Sequence, residues 1–352
     1  MSRSASPPDL AVILVNYRTA ALTLEAVASL APARTSFPGL RAVVVDGGSN
    51  DGSADAIAAG IEEQAWTDWV TLLPLAVNGG FAFANNRALA ALAATGPLPP
   101  FVALINPDAR VRPGALEAMA ALLAREPRAA AVGAQLIHED GRRQSSAFRF
   151  PSLRGEFCRG AHTGFLERLL RVPPSSVDTP VAAEVPWVTG AAVMLRAAAL
   201  ASCGLFDEGF FLYFEETELM HRMRRCGWTV WHEPAALVVH DGGASTQIRD
   251  PETGLPRARR APAYWYASRR RYFALAHGRG AALLSGLVWL VGRSWWRLRQ
   301  LVVPRPQPYP LREARDLIAY GLWPSRFDAA AARPALDEPA AERPAWMAGD
   351  GR

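Results

Sequence analysis

The sequence predicts an α/β fold: a mostly parallel sheet flanked by helices. Two observations carry this. Between residues 10 and 137, short β-branched runs alternate with Ala/Leu-rich stretches of helical periodicity. Three runs also end on a polar residue, Asn16, Asp46 and Asn106, as strands do where a parallel sheet offers its carboxyl edge to a ligand.

In chain order, LAVILVN (10–16) is the first buried strand and 20–31 the first helix; RAVVVD (41–46) and 53–65 repeat the pair. A helix over 84–94 leads to the strand FVALIN (101–106), a helix over 113–125 and a strand from Ala131 to Ile137. Strand after helix after strand demands crossovers, hence parallel pairing. From 138 to 185 the pattern dissolves into Arg, Ser, Gly and Pro, predicting a long loop or flexible insertion with a short helix near 163–171. WVTGAAVMLR (187–196) resumes as one strand, and WTVWHEPAALVVHDGG (228–243) adds one or two short strands ending on His240.

Residues 9–260 thus form one domain, 261–326 a helical extension, and 1–8 and 327–352 are expected to be disordered. The apolar run 281–291 falls well short of the roughly 20 residues that span a bilayer. With Trp289, Trp295 and Trp296 set among Arg293, Arg297 and Arg299, it predicts an amphipathic helix lying in the headgroup region, against the alternative of a helix packed on the core.

Composition excludes whole classes. Half the residues are hydrophobic and a fifth charged, which is globular rather than disordered. All 38 basic residues are Arg, so a P-loop lysine, a Schiff base and any catalytic amine are absent. That also argues against a nucleotidyltransferase with a basic Gly-rich phosphate loop. Cys158, Cys203 and Cys226 form no CxxC pair, and MSRSASPPDL has no apolar signal region, so a cytoplasmic location is expected. The arginines gather beside an apolar helix and not on a polar aromatic platform, so nucleic acid is not an expected partner.

Four segments remain: VVVDGGSNDGS (43–53), NGGFAFANNRA (78–88), LINPDARVRPGAL (104–116) and GLFDEGFFLYFEETELMHRMRRCGW (204–228). In this order they resemble the family-2 glycosyltransferases of the GT-A fold, particularly bacterial rhamnosyltransferase-like members that elongate cell-surface polysaccharides. The resemblance covers residues 9–245 and extends more loosely to 325 through YWYASRRRYF and its basic apolar sequel. It implies an inverting, metal-dependent transfer of a sugar from a nucleotide-sugar donor, dTDP-rhamnose being favoured. The acceptor would be a growing glycan or a polyprenyl-diphosphate-linked one at the cytoplasmic membrane surface.

The resemblance also distributes roles. Asp108 would be the principal ligand of Mg²⁺ or Mn²⁺, with Asn106 a weaker one; by itself Asn106-Pro107-Asp108 reads equally as an Asx-turn. His240 matches the histidine that contacts metal or diphosphate. Asp46 would bind the nucleotide base beside Asn16, although DGGSNDGS also reads as a capped strand-to-helix turn. Asn78, Asn86 and Arg87 match the segment beside the nucleotide, with Arg87 facing the diphosphate. Trp187, Gly190, Asp207 and Tyr213 fall on the acceptor side, and Glu218 is placed for a helical salt bridge to Arg222.

The aromatic run FFLYF before three glutamates fits a general base walled off from water, with its pKa raised. Glu216 stands at that base position, with Glu215 in reserve. Relatives usually carry Asp there. The extra methylene shifts the carboxylate by about a bond length, and misplacement by roughly 1 Å is costly. The departure keeps open a relative that has lost its base and binds a glycan or a partner protein.

Overall fold

In the computed structural model, which describes residues 10–240, 260–303, 310, 312–324, 333–335 and 341–347, the apolar runs form the expected sheet. Residues 1–8 lie outside the described residues. The first layers are β1 (Leu10–Asn16), α1 (Ala20–Ala28), β2 (Arg41–Asp46), α2 (Ser53–Glu63), β3 (Val70–Pro74), α3 (Gly80–Ala94) and β4 (Phe101–Ile105). They continue through β5 (Ala109–Val111), α4 (Ala115–Arg125) and β6 (Ala129–Ile137). Next come β7 (Ala147–Phe148), α5 (Leu153–Ala161), α6 (Gly164–Leu169), β8 (Ser176–Val177), β9 (Ala183–Glu184) and β10 (Trp187–Val188). The domain closes with β11 (Ala192–Arg196), α7 (Ala197–Cys203), α8 (Glu215–Arg225) and β12 (Thr229–His240).

The sheet order is β3-β2-β1-β4-β11-β6-β12-β5, with β9 added beside β12. β1, β2, β3 and β4 pair in parallel, as do β6 and β12; β11 and β5 run against their neighbours. Strand alternation splits the core in two. Leu10, Val12 and Leu14 face one side with Val27, Ile57 and Leu116, while Ala11 and Ile13 face the other with Leu89, Leu219 and Met223.

Four expectations change. β3 and β5 were not legible as strands: β3 is a short edge strand ending in Pro74, and β5 has three residues. The stretch 187–196 is not one strand. It breaks at Thr189-Gly190-Ala191, so that β10 joins a small sheet with β7 and β8 while β11 enters the main sheet. The stretch 138–185 carries more than the short helix expected near 163–171: α6 matches that helix, and α5 with the short strands β7, β8 and β9 is added. Ser152 caps α5 by accepting from the Gly155 N–H at 3.1 Å, but the glycine-containing helix is secured by packing that pattern reading cannot see. Fourth, 327–352 is not structureless throughout: Ala345–Met347 forms a 3-10 turn with Trp346 buried.

Beyond these lie α9 (Ala263–His277), α10 (Arg279–Gln300) and α11 (Glu313–Asp316). α10 crosses α5 where Gly160 and Gly292 let the backbones touch. Arg269, fully buried on α9, is paired with Glu156 of α5 at 2.7 Å, as a buried guanidinium must be. The helix carrying 281–291 packs on the core with one face and leaves another exposed. Trp289 and Trp296 are buried against the core, whereas Leu283, Leu284, Leu287, Val291, Trp295 and Leu298 form an exposed apolar stripe at helical spacing. No described helix is long and apolar enough to cross a membrane.

Candidate active site

Parallel pairing brings the ends of β1, β2, β4 and β12 to one edge, and antiparallel β11 begins there. At that edge Asn16 and Asp46 are register partners and buried. The Asn16 amide donates to Asp46 Oδ1 at 2.6 Å, and the same oxygen accepts from the Ser49 hydroxyl at 2.6 Å. Asn16 Oδ1 in turn accepts from Thr19 and Thr23. Gly48 has φ +69°, and a Cβ there would sit 2.8 Å from the Val77 carbonyl carbon, so glycine is needed where this turn meets the 77–78 backbone. Asn78 Oδ1 accepts from the Gly80 N–H at 3.0 Å and so opens α3.

Asp108 lies in the turn between β4 and β5, and the pairing of β5 with β12 sets His240 opposite Ala109. His240 Nε2 is 3.4 Å from Asp108 Oδ1. Asn106, partly exposed, holds the adjoining loop by donating its main-chain N–H to the Ala191 carbonyl at 2.9 Å. No group of three His, Cys, Asp or Glu side chains that could by itself hold a metal ion occurs among the described residues. A carboxylate and an imidazole 3.4 Å apart fit a divalent cation that takes its remaining ligands from water and phosphate oxygens.

The FFLYF run enters α8 through two residues in the left-handed region, Tyr213 and Phe214, both at φ +70°. Each costs about 1–3 kcal/mol and persists only where surroundings enforce it. Here Phe210 is fully buried, Phe214 meets Trp265 and Tyr272, and Tyr213 stacks on Tyr264 at 6.2 Å. Gly80, at φ +87°, admits the Phe211 carbonyl, which accepts from the Phe81 N–H at 2.8 Å. The break before β11 completes the assembly, because a Cβ on Gly190 would stand 3.7 Å from Glu216 and from the Phe81 ring.

Glu215 and Glu216 each keep one buried carboxylate oxygen without a hydrogen-bond partner among the described residues. Burial pushes both carboxyls above the ordinary glutamate range. For Glu215 the charge of Glu216 pushes further, whereas the backbone N–H groups of Glu216, Gly190 and Thr217 partly offset burial at Glu216.

Other expected site residues are engaged elsewhere. Asn86 binds the Phe206 main chain and Glu208, and Arg87 is ion-paired with Glu208 at 2.6 Å and donates to the Ala341 carbonyl. Their packing ties α3 to the loop before α8 and does not turn Arg87 toward a diphosphate. Asp207 is consumed by a bidentate bond from Arg271 at 2.8 and 2.9 Å, a buried structural pair and not an acceptor contact. Trp187 stacks on Phe148 at 4.7 Å on the small sheet, and Glu218 pairs with Arg222 as its spacing predicts. Sequence reading named Ser49 only as a cap of the turn after Asp46 and missed Glu208 and Tyr264.

A family model described as glycosyl transferase family 2 matches residues 11–176. The N-acetylglucosaminyl-diphospho-decaprenol L-rhamnosyltransferase of Mycobacterium tuberculosis is 32% identical over 260 residues, covering 70% of this chain and 80% of that protein. The pre-mycofactocin glycosyltransferase of the same organism is 29% identical over 278 residues, 76% of this chain and 51% of that protein. Among solved structures, the mannosyltransferase PcManGT from Pyrobaculum calidifontis, in complex with GDP-Man and Mn²⁺, superposes with a TM-score of 0.51 at 17% identity. That superposition covers 90% of this chain and 80% of that one.

Proposed function

The chain belongs to glycosyl transferase family 2 and has the GT-A-type fold, and from that premise we propose an inverting, metal-dependent transfer of L-rhamnose from dTDP-rhamnose to a polyprenyl-diphosphate-linked or growing glycan acceptor. The observation that carries it is the convergence on Thr189-Gly190-Ala191. Ala191 binds the Asn106 main chain beside Asp108 and His240, while Gly190 abuts Glu216 and Phe81. Metal ligands and base are thereby held about one loop.

The network of Asn16, Asp46 and Ser49 presents a fixed carboxylate to the nucleoside end of the donor. Asp108 and His240, with Asn106 in the same turn, would hold Mg²⁺ or Mn²⁺. A bound divalent cation there would offset the charge that develops on the departing diphosphate. Glu216 takes the proton from the acceptor hydroxyl as that oxygen attacks the anomeric carbon from the opposite face. Its raised pKa makes it the stronger base, and the aromatic run keeps water from the carboxylate. The charge of Glu216 raises the Glu215 carboxyl further, because adjacent like charges resist joint ionisation.

The lipid-linked acceptor is supported by the relative named for a decaprenol-linked reaction and by the exposed stripe of α10, a helix with no Asp or Glu. Its apolar face would rest in the headgroup region of the cytoplasmic membrane surface with Arg297 and Arg299 beside anionic lipid. The test is dTDP release from dTDP-rhamnose by the full chain, with Mn²⁺ or Mg²⁺ and a polyprenyl-diphosphate-linked N-acetylglucosamine acceptor. Metal-dependent transfer, lost in Asp108→Ala and Glu216→Gln, is expected. Nucleotide binding with no transfer to any acceptor would refute the enzyme reading and leave a binding protein.

A further inference from the structure

Residues 333–335 and 341–347 return to the loop that delivers α8. The Pro334 carbonyl accepts from the Leu205 N–H at 3.3 Å, and Arg333 lies 3.5 Å from Asp207 and 3.1 Å from Glu218. The Trp346 indole N–H donates to the Glu208 carbonyl at 3.0 Å, and its ring meets Phe211 edge-on at 5.9 Å. Arg87 reaches the Ala341 carbonyl. These contacts fall on the loop 205–211, on α8 or on the helix that clamps that loop from below. None falls on the Asn16–Asp46 or Asp108–His240 groups.

We infer that Trp346 is a positioning residue for Glu216. Phe211 is held on one side by Phe81 and on another by Trp346 and by Tyr264 at 5.0 Å. Immediately after it the chain turns through the strained Tyr213-Phe214 pair into the two glutamates. A left-handed pair survives only while both its ends are fixed. Gly80 and Phe81 fix the start from the donor side, and Trp346 fixes it from the outer side. Without the indole, the 205–214 segment relaxes and the Glu216 carboxylate leaves its place beside Gly190. The inference rests on Glu216 being the base.

The experiment compares full-length native chain, Trp346→Ala and Trp346→Phe. It reads kcat and KM for dTDP-rhamnose, dTDP affinity by titration, and amide hydrogen exchange over residues 205–217. Trp346→Ala is expected to lose about tenfold or more in kcat, with dTDP affinity unchanged and exchange over 205–217 accelerated. Trp346→Phe, which keeps the edge contact and loses only the hydrogen bond, should recover most of the rate. Unchanged kcat or unchanged exchange in Trp346→Ala overturns the inference. So does a parallel loss of kcat, dTDP affinity and melting temperature, which would mean a merely structural role. A native chain without transferase activity would instead refute the functional reading, and the positioning role with it.

Discussion

Replacing Gly80 by Ala probes the contact that joins the donor-side loop to the catalytic helix. Gly80 has φ +87°, and a methyl there would lie 2.6 Å from the Phe211 carbonyl carbon and 2.7 Å from its Cα. A left-handed alanine costs about 1–2 kcal/mol. Forced overlap in a packed site adds about 1–3 kcal/mol, so a total near 2–5 kcal/mol is expected. The obstructing atoms are backbone, and carbons pack at about 3.5 Å, so relief requires Phe211 to move by about 1 Å. Carried into α8, a shift of that size should cost about 10²-fold in kcat. Gly227→Ala is the control: its φ is +90°, nothing lies within 4 Å of the added methyl, and it sits at the far end of α8. It should show the backbone cost alone. Urea unfolding and sugar-nucleotide turnover on both variants test this. The reasoning fails if Gly80→Ala is no less stable than Gly227→Ala, or if its kcat stays within about threefold of that control.

Removing either half of the cation pair, Asp108→Ala or His240→Ala, should lower kcat by about 10²–10³-fold and weaken Mn²⁺-dependent dTDP binding; Mn²⁺-dependent binding unchanged in both variants would exclude the pair from the site. Because Glu216 must be ionised to act and burial raises its pKa, kcat/KM of the native chain should climb with pH through a limb above the ordinary glutamate value of 4.5, and a profile flat from there upward would contradict Glu216 as the base. Glu215 binds its proton more tightly folded than unfolded. Its contribution to stability is therefore complete below the ordinary value of 4.5 and is lost as pH rises through the folded pKa. Glu215→Gln should accordingly melt higher than the native chain at neutral pH and converge with it in acid; a lower melting temperature at neutral pH would contradict the burial argument. On α10, Leu287→Glu and Val291→Asp should abolish sedimentation with anionic vesicles while leaving the melting temperature unchanged, since both side chains face solvent; retained sedimentation would move the membrane contact elsewhere.

Much of the architecture follows from sequence pattern alone. The runs ending at Asn16, Asp46 and Asn106 are buried on both faces, so their apolar character is continuous and their polar ends mark the carboxyl edge. The pairing of Asp108 with His240, distant in sequence, was anticipated from motif order, and the Glu218–Arg222 bridge from its helical spacing. Local chemistry and short-range periodicity suffice for the strand ends and the helical bridge, whereas the approach of His240 to Asp108 was implied only by the family resemblance.

Tertiary structure decided the rest. Arg87 and Asp207 have the charge and position of ligands, but whether a charge faces a substrate or a buried counter-ion depends on what the fold brings opposite, here Glu208 and Arg271. The same holds for 187–196, where an unbroken apolar run hides a kink that only strand pairing in two sheets produces. Trp289 and Trp295 carry identical side chains six residues apart on α10, yet one is buried against Tyr266 and the other faces outward. Sequence sets what each side chain can do. Which partner it meets is a long-range property, set when the C-terminal helices and residues 333–335 and 341–347 pack on elements from the earlier part of the chain.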